Sequence, residues 1–109
     1  MIEQQPLVSV IIPAYNRRHL IEPALKGAQK QTYQCCELIV VDDASTDGTA
    51  DWIRKHYPQV QLIELIQNMG AAGARNVGIE AAKGEFIAFL DSDDYWEAAY
   101  VETMVRSLQ

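Results

Sequence analysis

The sequence predicts an α/β fold, a Rossmann-like parallel sheet with helices alternating between its strands. Two observations predict it. Four short apolar runs are continuous rather than strictly alternating, which suits strands covered on both faces. Helical patterns separate these runs, and the resulting order β-α-β-α-β-α-β-α calls for right-handed crossovers into one parallel sheet. With 109 residues the chain has room for a single domain, here 1–109. A chain of this length buries somewhat over ~60% of its unfolded surface, so a real core is possible.

The first strand is expected at residues 7–12, rich in β-branched side chains and closed by Pro13. The second spans 37–41 and is closed by Asp42 and Asp43. The third spans 60–66, and the fourth spans 85–90 and ends at Asp91. A helix fits residues 19–31, where Leu20, Ile21, Ala24, Leu25 and Ala28 share one face. Pro23 breaks helix interiors, so this helix should start only a few residues before it. A second helix fits 49–56, with Ser45 or Asp47 as its capping residue and Pro58 as its stop. A third runs over 71–82 and is ended by Gly84, and a fourth starts near Glu97 and runs to the end.

Composition removes several classes. The net charge of −6 opposes general nucleic-acid binding, which favours a basic surface. No run approaches the ~20 apolar residues of a membrane span. Residues 1–6 are polar and no apolar signal region follows, so a cytoplasmic location is expected. Cys35 and Cys36 are neighbours with no third cysteine to pair with, which fits two small, partly buried side chains in a reducing compartment. His19 and His56 have no ligand-like spacing.

In parallel sheets of this kind, ligands bind outside the carboxyl ends of the strands. After the first strand, Tyr15 offers a flat face for a base and Asn16 offers a donor and an acceptor. Taken alone, a plain Pro-containing turn is the better explanation of this segment. After the second strand, Asp42 and Asp43 stand side by side and repel unless something uses them; the alternative is a turn cluster for the next helix. After the third, residues 68–79 place Gly70, Gly73 and small residues where a loop becomes a helix, with Arg75 as the fixed cation. Close packing of helix on sheet is the alternative there.

The end of the fourth strand is the strongest feature. Asp91, Asp93 and Asp94 crowd it, and residues two apart near a strand end can face a common ligand. Carboxylate oxygens suit a hard divalent cation, Mg²⁺ or Mn²⁺, which would offset repulsion between an acidic chain and a phosphate ligand. Asp94 and Glu97 are better explained as acids favouring the start of the last helix. Trp52, Tyr57, Tyr95, Trp96 and Tyr100 are expected to pack.

Taken together, residues 8–16, 39–49, 68–79 and 89–94 with Trp96 resemble the family 2 glycosyltransferases of GT-A fold. The resemblance covers nearly the whole chain. It implies a nucleotide-diphospho-sugar donor, typically a UDP-sugar, with transfer by inversion to a carbohydrate or lipid-linked acceptor, as in cell-wall or polysaccharide synthesis. It implies that Pro13 and Tyr15 line the base pocket with Asn16 beside them, that Asp43 hydrogen-bonds the base, and that Arg75 helps hold the nucleotide. Asp91 and Asp93 match the family's DxD motif, Asp91 near ribose or metal and Asp93 as direct metal ligand. Ala44 and Ala98 depart from the family's usual Gly and Pro, neither at an implied ligand contact.

A complete domain of this type is about twice as long. The resemblance therefore implies that this chain is a truncated, donor-binding half, with the catalytic base and the acceptor surface in the missing half. The fourth strand would then be an uncovered apolar edge, and self-association through it is expected. A dinucleotide-binding module competes, but it would want Gly-x-Gly-x-x-Gly where Pro13-Ala14-Tyr15-Asn16 stands. A receiver-like signalling module would want acids after its first strand and an acceptor Asp after its third, and has neither. A non-catalytic binding or assembly module remains the third alternative.

Overall fold

The computed structural model describes residues 5–108. Residues 1–4, and Gln109 at the end of the expected last helix, lie outside the described residues. Strands β1 (Val8–Ala14), β2 (Cys36–Asp42), β3 (Gln61–Glu64) and β4 (Phe86–Phe89) form a parallel sheet in the order β3-β2-β1-β4. Helices α1 (Glu22–Gln29), α2 (Thr49–His56), α3 (Gly70–Ala81) and α4 (Tyr100–Leu108) alternate with the strands. The expected α/β architecture is therefore present, element for element.

Alternation along each strand sorts the side chains onto two unequal faces. From β1, Val8, Val10, Ile12 and Ala14 enter a large cluster with Ile21, Leu25, Ile53, Leu90, Trp96, Val101 and Val105. That face is covered by α1, α2 and α4. The other face holds a small cluster, Ile39, Val41 and Ala74, under α3 alone. Ile11 also faces α3, and a Cβ on Gly78 would lie 2.5 Å from Ile11 Cγ2. Small residues therefore let α3 lie close on β1 and β2. α3 leaves β4 open on this side, so Ile87 and Phe89 are exposed while Ala88 and Leu90 are buried beneath the opposite face.

β1 continues through Pro13 to Ala14 instead of stopping at the proline. The ladder explains this. Ile11 O accepts Leu90 N–H on the β4 side, whereas Ala14 O accepts Asp43 N–H on the β2 side. By alternation, the N–H that Pro13 lacks would point toward β4. Pairing with β4 has already ended at Ile11↔Phe89, so no bond is lost there.

Other boundaries moved for equally local reasons. α1 begins at Glu22 with Pro23 in its first turn, because residues 17–21 form a tight turn in which Arg17 O accepts the N–H groups of Leu20 and Ile21. Leu20 belongs to that turn and is exposed, contrary to its expected place on the helix face. β3 stops at Glu64, and Ile66 is almost fully exposed. α4 starts at Tyr100 rather than near Glu97. The Gln31 side chain donates to Glu97 O at 2.7 Å, Ala98 O accepts Thr32 N–H, and Gln31 Oε1 accepts Val101 N–H at 2.8 Å. These bonds hold residues 97–99 against α1 and out of the helix.

At the amino end of the sheet, the buried Ser9 hydroxyl donates to Glu37 and accepts Gly84 N–H. Glu37 also accepts Lys83 N–H at 2.7 Å. Both cysteines are free and partly buried. Burial, reinforced by neighbouring Cys35, pushes the Cys36 thiol up to about 11, so it stays a thiol at neutral pH. Among the described residues no helix is long and apolar enough to cross a membrane.

Candidate functional site

The carboxyl ends of β1, β2 and β4 and the start of α3 enclose a cleft of about 170 Å³. β1 and its loop contribute Pro13, Ala14, Tyr15 and Arg17. Asp43 comes from β2, Ala71, Ala74 and Arg75 from α3, and Asp91, Ser92 and Asp93 from beyond β4. Six of the seven residues singled out from the sequence thus share one cavity. The seventh, Asn16, is not among its lining residues. Asn16 takes a left-handed backbone (φ 52°), and its Oδ1 accepts Thr46 N–H at 2.8 Å. Its backbone N–H donates to the Ser45 hydroxyl, so it props the β2–α2 loop beside the cleft.

The two adjacent aspartates separate because strand alternation sends them to opposite faces. Asp42 turns toward its own loop, where its carboxylate accepts the hydroxyl and backbone N–H of Ser45. Asp43 turns toward α3. Its Oδ1 accepts Met69 N–H at 2.6 Å and its Oδ2 accepts Gly70 N–H at 2.9 Å. It thereby occupies the positive end of the α3 dipole, although each oxygen keeps a lone pair for a ligand. Asn68 donates to Asp43 O, closing the small-residue loop over this carboxylate.

Asp43 is followed by Ala44, whose φ is 62°. This position, where the resembled family has glycine, is thus the left-handed residue that aims the Asp43 turn. Ala44 itself is not among the residues that line the cleft. The N-cap of α2 is Gly48 (φ 86°) rather than the expected Ser45 or Asp47, although Asp47 Oδ1 accepts Thr49 N–H at 3.0 Å from one position further out. Burial acts to raise the Asp47 carboxyl. Hydrogen bonds from the Thr49 hydroxyl and from the Arg18 and Thr49 N–H groups outweigh it and hold the group below its usual range.

Arg75 projects from α3 and pairs with Asp91, Nη2 to Oδ1 at 3.3 Å. The pair is solvent-exposed in part, so it orients more than it stabilises. Asp93 lines the same cleft from the next turn. Asp94 accepts Tyr95 N–H, and its own N–H donates to Asp91 O, so it closes that turn. Neither Asp94 nor Glu97 lies in the first turn of α4; Glu102 does. Among the described residues no group of three or more His, Cys, Asp or Glu is gathered as a metal cage. Two carboxylates beside an open cavity still suit Mg²⁺ or Mn²⁺, which take one or two protein ligands and fill the rest with phosphate oxygens and water.

Arg17 escaped the sequence reading because one arginine in a turn carries no pattern. Its N–H donates to the Thr49 hydroxyl at 3.1 Å and its Nη1 to Tyr15 O at 3.3 Å. Its Nε is the one buried side-chain nitrogen or oxygen without a partner among the described residues. Such an unmet donor costs about 1–3 kcal/mol.

Next to the cleft lies a wider groove of about 1020 Å³ between the open side of β4 and α4. The two cavities share Arg75 and Asp91. Of the aromatic residues expected to pack, Tyr57 and Trp96 are buried, but Tyr95 and Tyr100 are exposed along this groove. Tyr100 stacks on Trp96 at 4.6 Å. The wider groove is lined by Phe89, Trp96 and Met104 together with Arg75, Asp91, Asp94 and Glu97.

Residues 9–109 match the family described as Glycosyl transferase family 2. The chain belongs to this family. A family 2 relative from Escherichia coli, the UDP-Glc:alpha-D-GlcNAc-diphosphoundecaprenol beta-1,3-glucosyltransferase WfaP, is 44% identical over 105 residues. That match covers 94% of this chain and 41% of the relative. The crystal structure of S. aureus TarS 1-349 in complex with UDP superposes with a TM-score of 0.84 at 34% identity, over 92% of this chain and 31% of that one. The mannosyltransferase PcManGT of Pyrobaculum calidifontis, in complex with GDP-Man and Mn2+, superposes with a TM-score of 0.82 at 35% identity, over 96% and 32%. The chain thus spans less than half the length of the curated relative it matches, and its GT-A fold is shared with family structures that carry nucleotide ligands.

Proposed function

We propose that this chain is the donor-binding part, residues 1–109, of a glycosyltransferase that uses a nucleotide-diphospho-sugar of the UDP type. The single observation carrying this reading is that Tyr15, Asp43, Arg75, Asp91 and Asp93 line one cleft at the carboxyl end of the sheet. Pro13 and the exposed Tyr15 ring would flank the base, Asp43 would accept its N–H, and Arg75 would hold the nucleotide, with Asn16 supporting the loop behind them. The UDP in the TarS complex supports a UDP-type donor, and the GDP-Man with Mn2+ in PcManGT supports the broader class of nucleotide-diphospho-sugars.

Asp93, with Asp91, would hold Mg²⁺ or Mn²⁺ against the diphosphate, where the cation stabilises the charge of the leaving group. In the whole protein, the catalytic base, inverting transfer and a carbohydrate or lipid-linked acceptor belong to the same proposal, supported by the short span of this chain against its relatives. A cytoplasmic location, at the inner membrane face in the whole protein, accords with such an acceptor. The wider groove, which shares Arg75 and Asp91 with the cleft, would take the sugar. β4 pairs only with β1 and exposes Ile87 and Phe89, so the isolated chain would self-associate along it. A strictly monomeric profile by light scattering at high concentration contradicts that last point.

Calorimetric titration of UDP and NAD, each with and without Mn²⁺, tests the main reading. Metal-dependent UDP binding that disappears in Asp93→Ala is the expected result. NAD binding without metal favours a dinucleotide module, and no binding at all leaves a non-catalytic role.

A further inference from the structure

The cleft is lined by two arginines, and they differ in freedom. Arg17 donates from Nη1 to the Tyr15 carbonyl and buries its Nε, so it is built into the loop after β1. Arg75 stands on α3, its side chain 37% exposed. Its ion pair is a single contact, Nη2 to Asp91 Oδ1 at 3.3 Å, and the Asp91 side chain is 62% exposed. A pair so placed is weakly held and exchanges readily for another partner.

The pair sits on a carboxylate that the proposed cation needs. Of the three acids lining the cleft, Asp43 is engaged by the N–H groups of Met69 and Gly70, which leaves Asp91 and Asp93 for a metal. A divalent cation on Asp91 would share that carboxylate with the guanidinium. Like charges this close repel even near water, and salt screens them little, because the Debye length is about 8 Å at physiological ionic strength. As long as Arg75 stays on Asp91, it opposes the cation.

A diphosphate removes the conflict. Arg75 and Asp91 are the two residues common to the cleft and the wider groove, so their pair stands where a donor would pass from its nucleotide to its sugar. The planar fork of arginine suits phosphate oxygens as well as a carboxylate, and a diphosphate carries more negative charge than Asp91. We propose that Arg75 couples the cation to the diphosphate: without nucleotide it competes with the cation for Asp91, and with nucleotide it moves to the phosphates and releases that carboxylate. Such coupling is reciprocal, so the cation strengthens nucleotide binding by the factor by which the nucleotide strengthens cation binding.

The inference rests on the donor reading, and the experiment separates the two. Mn²⁺ affinity is measured without nucleotide from the electron paramagnetic resonance of the free ion. UDP affinity is measured by calorimetry with and without Mn²⁺. Both are done for the native chain, Arg75→Met, which removes the charge, and Arg75→Lys, which keeps it. Arg75→Met should bind Mn²⁺ alone more tightly, by on the order of fivefold, and UDP alone more weakly. The factor by which Mn²⁺ strengthens UDP binding should shrink by a similar amount. Arg75→Lys should bind Mn²⁺ alone as the native chain does, and all three should melt within a few degrees of one another. If Arg75→Met gains no Mn²⁺ affinity, the proposal is overturned, and this includes the case in which neither chain binds Mn²⁺ measurably without UDP. A gain that Arg75→Lys shows equally also overturns it, since charge is then not the cause. So does an unchanged coupling factor in Arg75→Met. A native chain that binds no UDP even with Mn²⁺ defeats the donor reading first.

Discussion

The two faces of the sheet are built on different terms. One is thick: α1, α2 and α4 bury Val8, Val10, Ile12, Leu25, Ile53 and Val105 against it. The other is thin: one small-residue helix lies close over Ile11, Ile39 and Val41. The thin face carries the candidate site, because the start of α3 brings two N–H groups to the Asp43 carboxylate and α3 brings Arg75 to Asp91 at the strand ends. Bulk holds the thick face in place, whereas closeness of approach does so on the thin one. Damage to the first should therefore cost stability alone, and damage to the second should cost ligand binding as well.

The largest effect is expected on the thick face. Leu25 is fully buried, and Leu25→Ala should lower unfolding free energy by about 2–5 kcal/mol in urea denaturation. The fraction that stays folded should bind UDP unchanged. On the thin face, Gly78→Ala puts a methyl group 2.5 Å from Ile11 Cγ2, and the helix must lift. The loss should be about 1–3 kcal/mol, accompanied by weaker UDP binding in the same titration. If Gly78→Ala loses stability but binds UDP as before, the contrast between the faces is wrong.

Ala44→Gly should act in the opposite direction. The left-handed backbone costs a non-glycine residue about 1–2 kcal/mol, part of which glycine returns as chain entropy. A net gain of roughly 0.5–1 kcal/mol should appear as a higher melting temperature. The smallest effect concerns Asp47, whose carboxyl is held below its usual range in the folded chain. A lowered folded value means that its stabilisation is present above the unfolded value of about 3.9 and is lost as pH falls through the folded one. Asp47→Asn should thus cost under ~1 kcal/mol at neutral pH, and the difference from the native chain should vanish in acid.

Most of the architecture was legible because strands and helices announce themselves by period, and β1, β2, α2 and α3 do so plainly. The acids after β2 and β4 were legible because carboxylates crowd at two neighbouring strand ends, although Asp42 and Asp94 turn out to serve their own loops. Other features depend on partners distant in sequence. Pro13 continues a strand only because β4 ends beside it. Glu97 stays out of α4 because Gln31 accepts the Val101 N–H that a helix would give to the Glu97 carbonyl. Arg17 stands out through what its Nε lacks, and a sequence displays residues rather than missing partners. Ala44 was noticed, but its weight depends on a torsion angle that no residue identity states.

The Gln31 amide also determines how this chain can be divided. It joins the last turn of α1 to residues 66 and 70 positions further along, while Gly27 touches the Trp96 backbone so closely that a Cβ would sit 2.8 Å from its carbonyl oxygen. A segment cut before Val101 would leave the Gln31 Oε1 without its donor and bare the side of the core that Val101 and Val105 cover. The smallest autonomous piece of this fold therefore has to extend past the acidic strand end into α4, and libraries of truncations should lose soluble expression abruptly once that helix is removed.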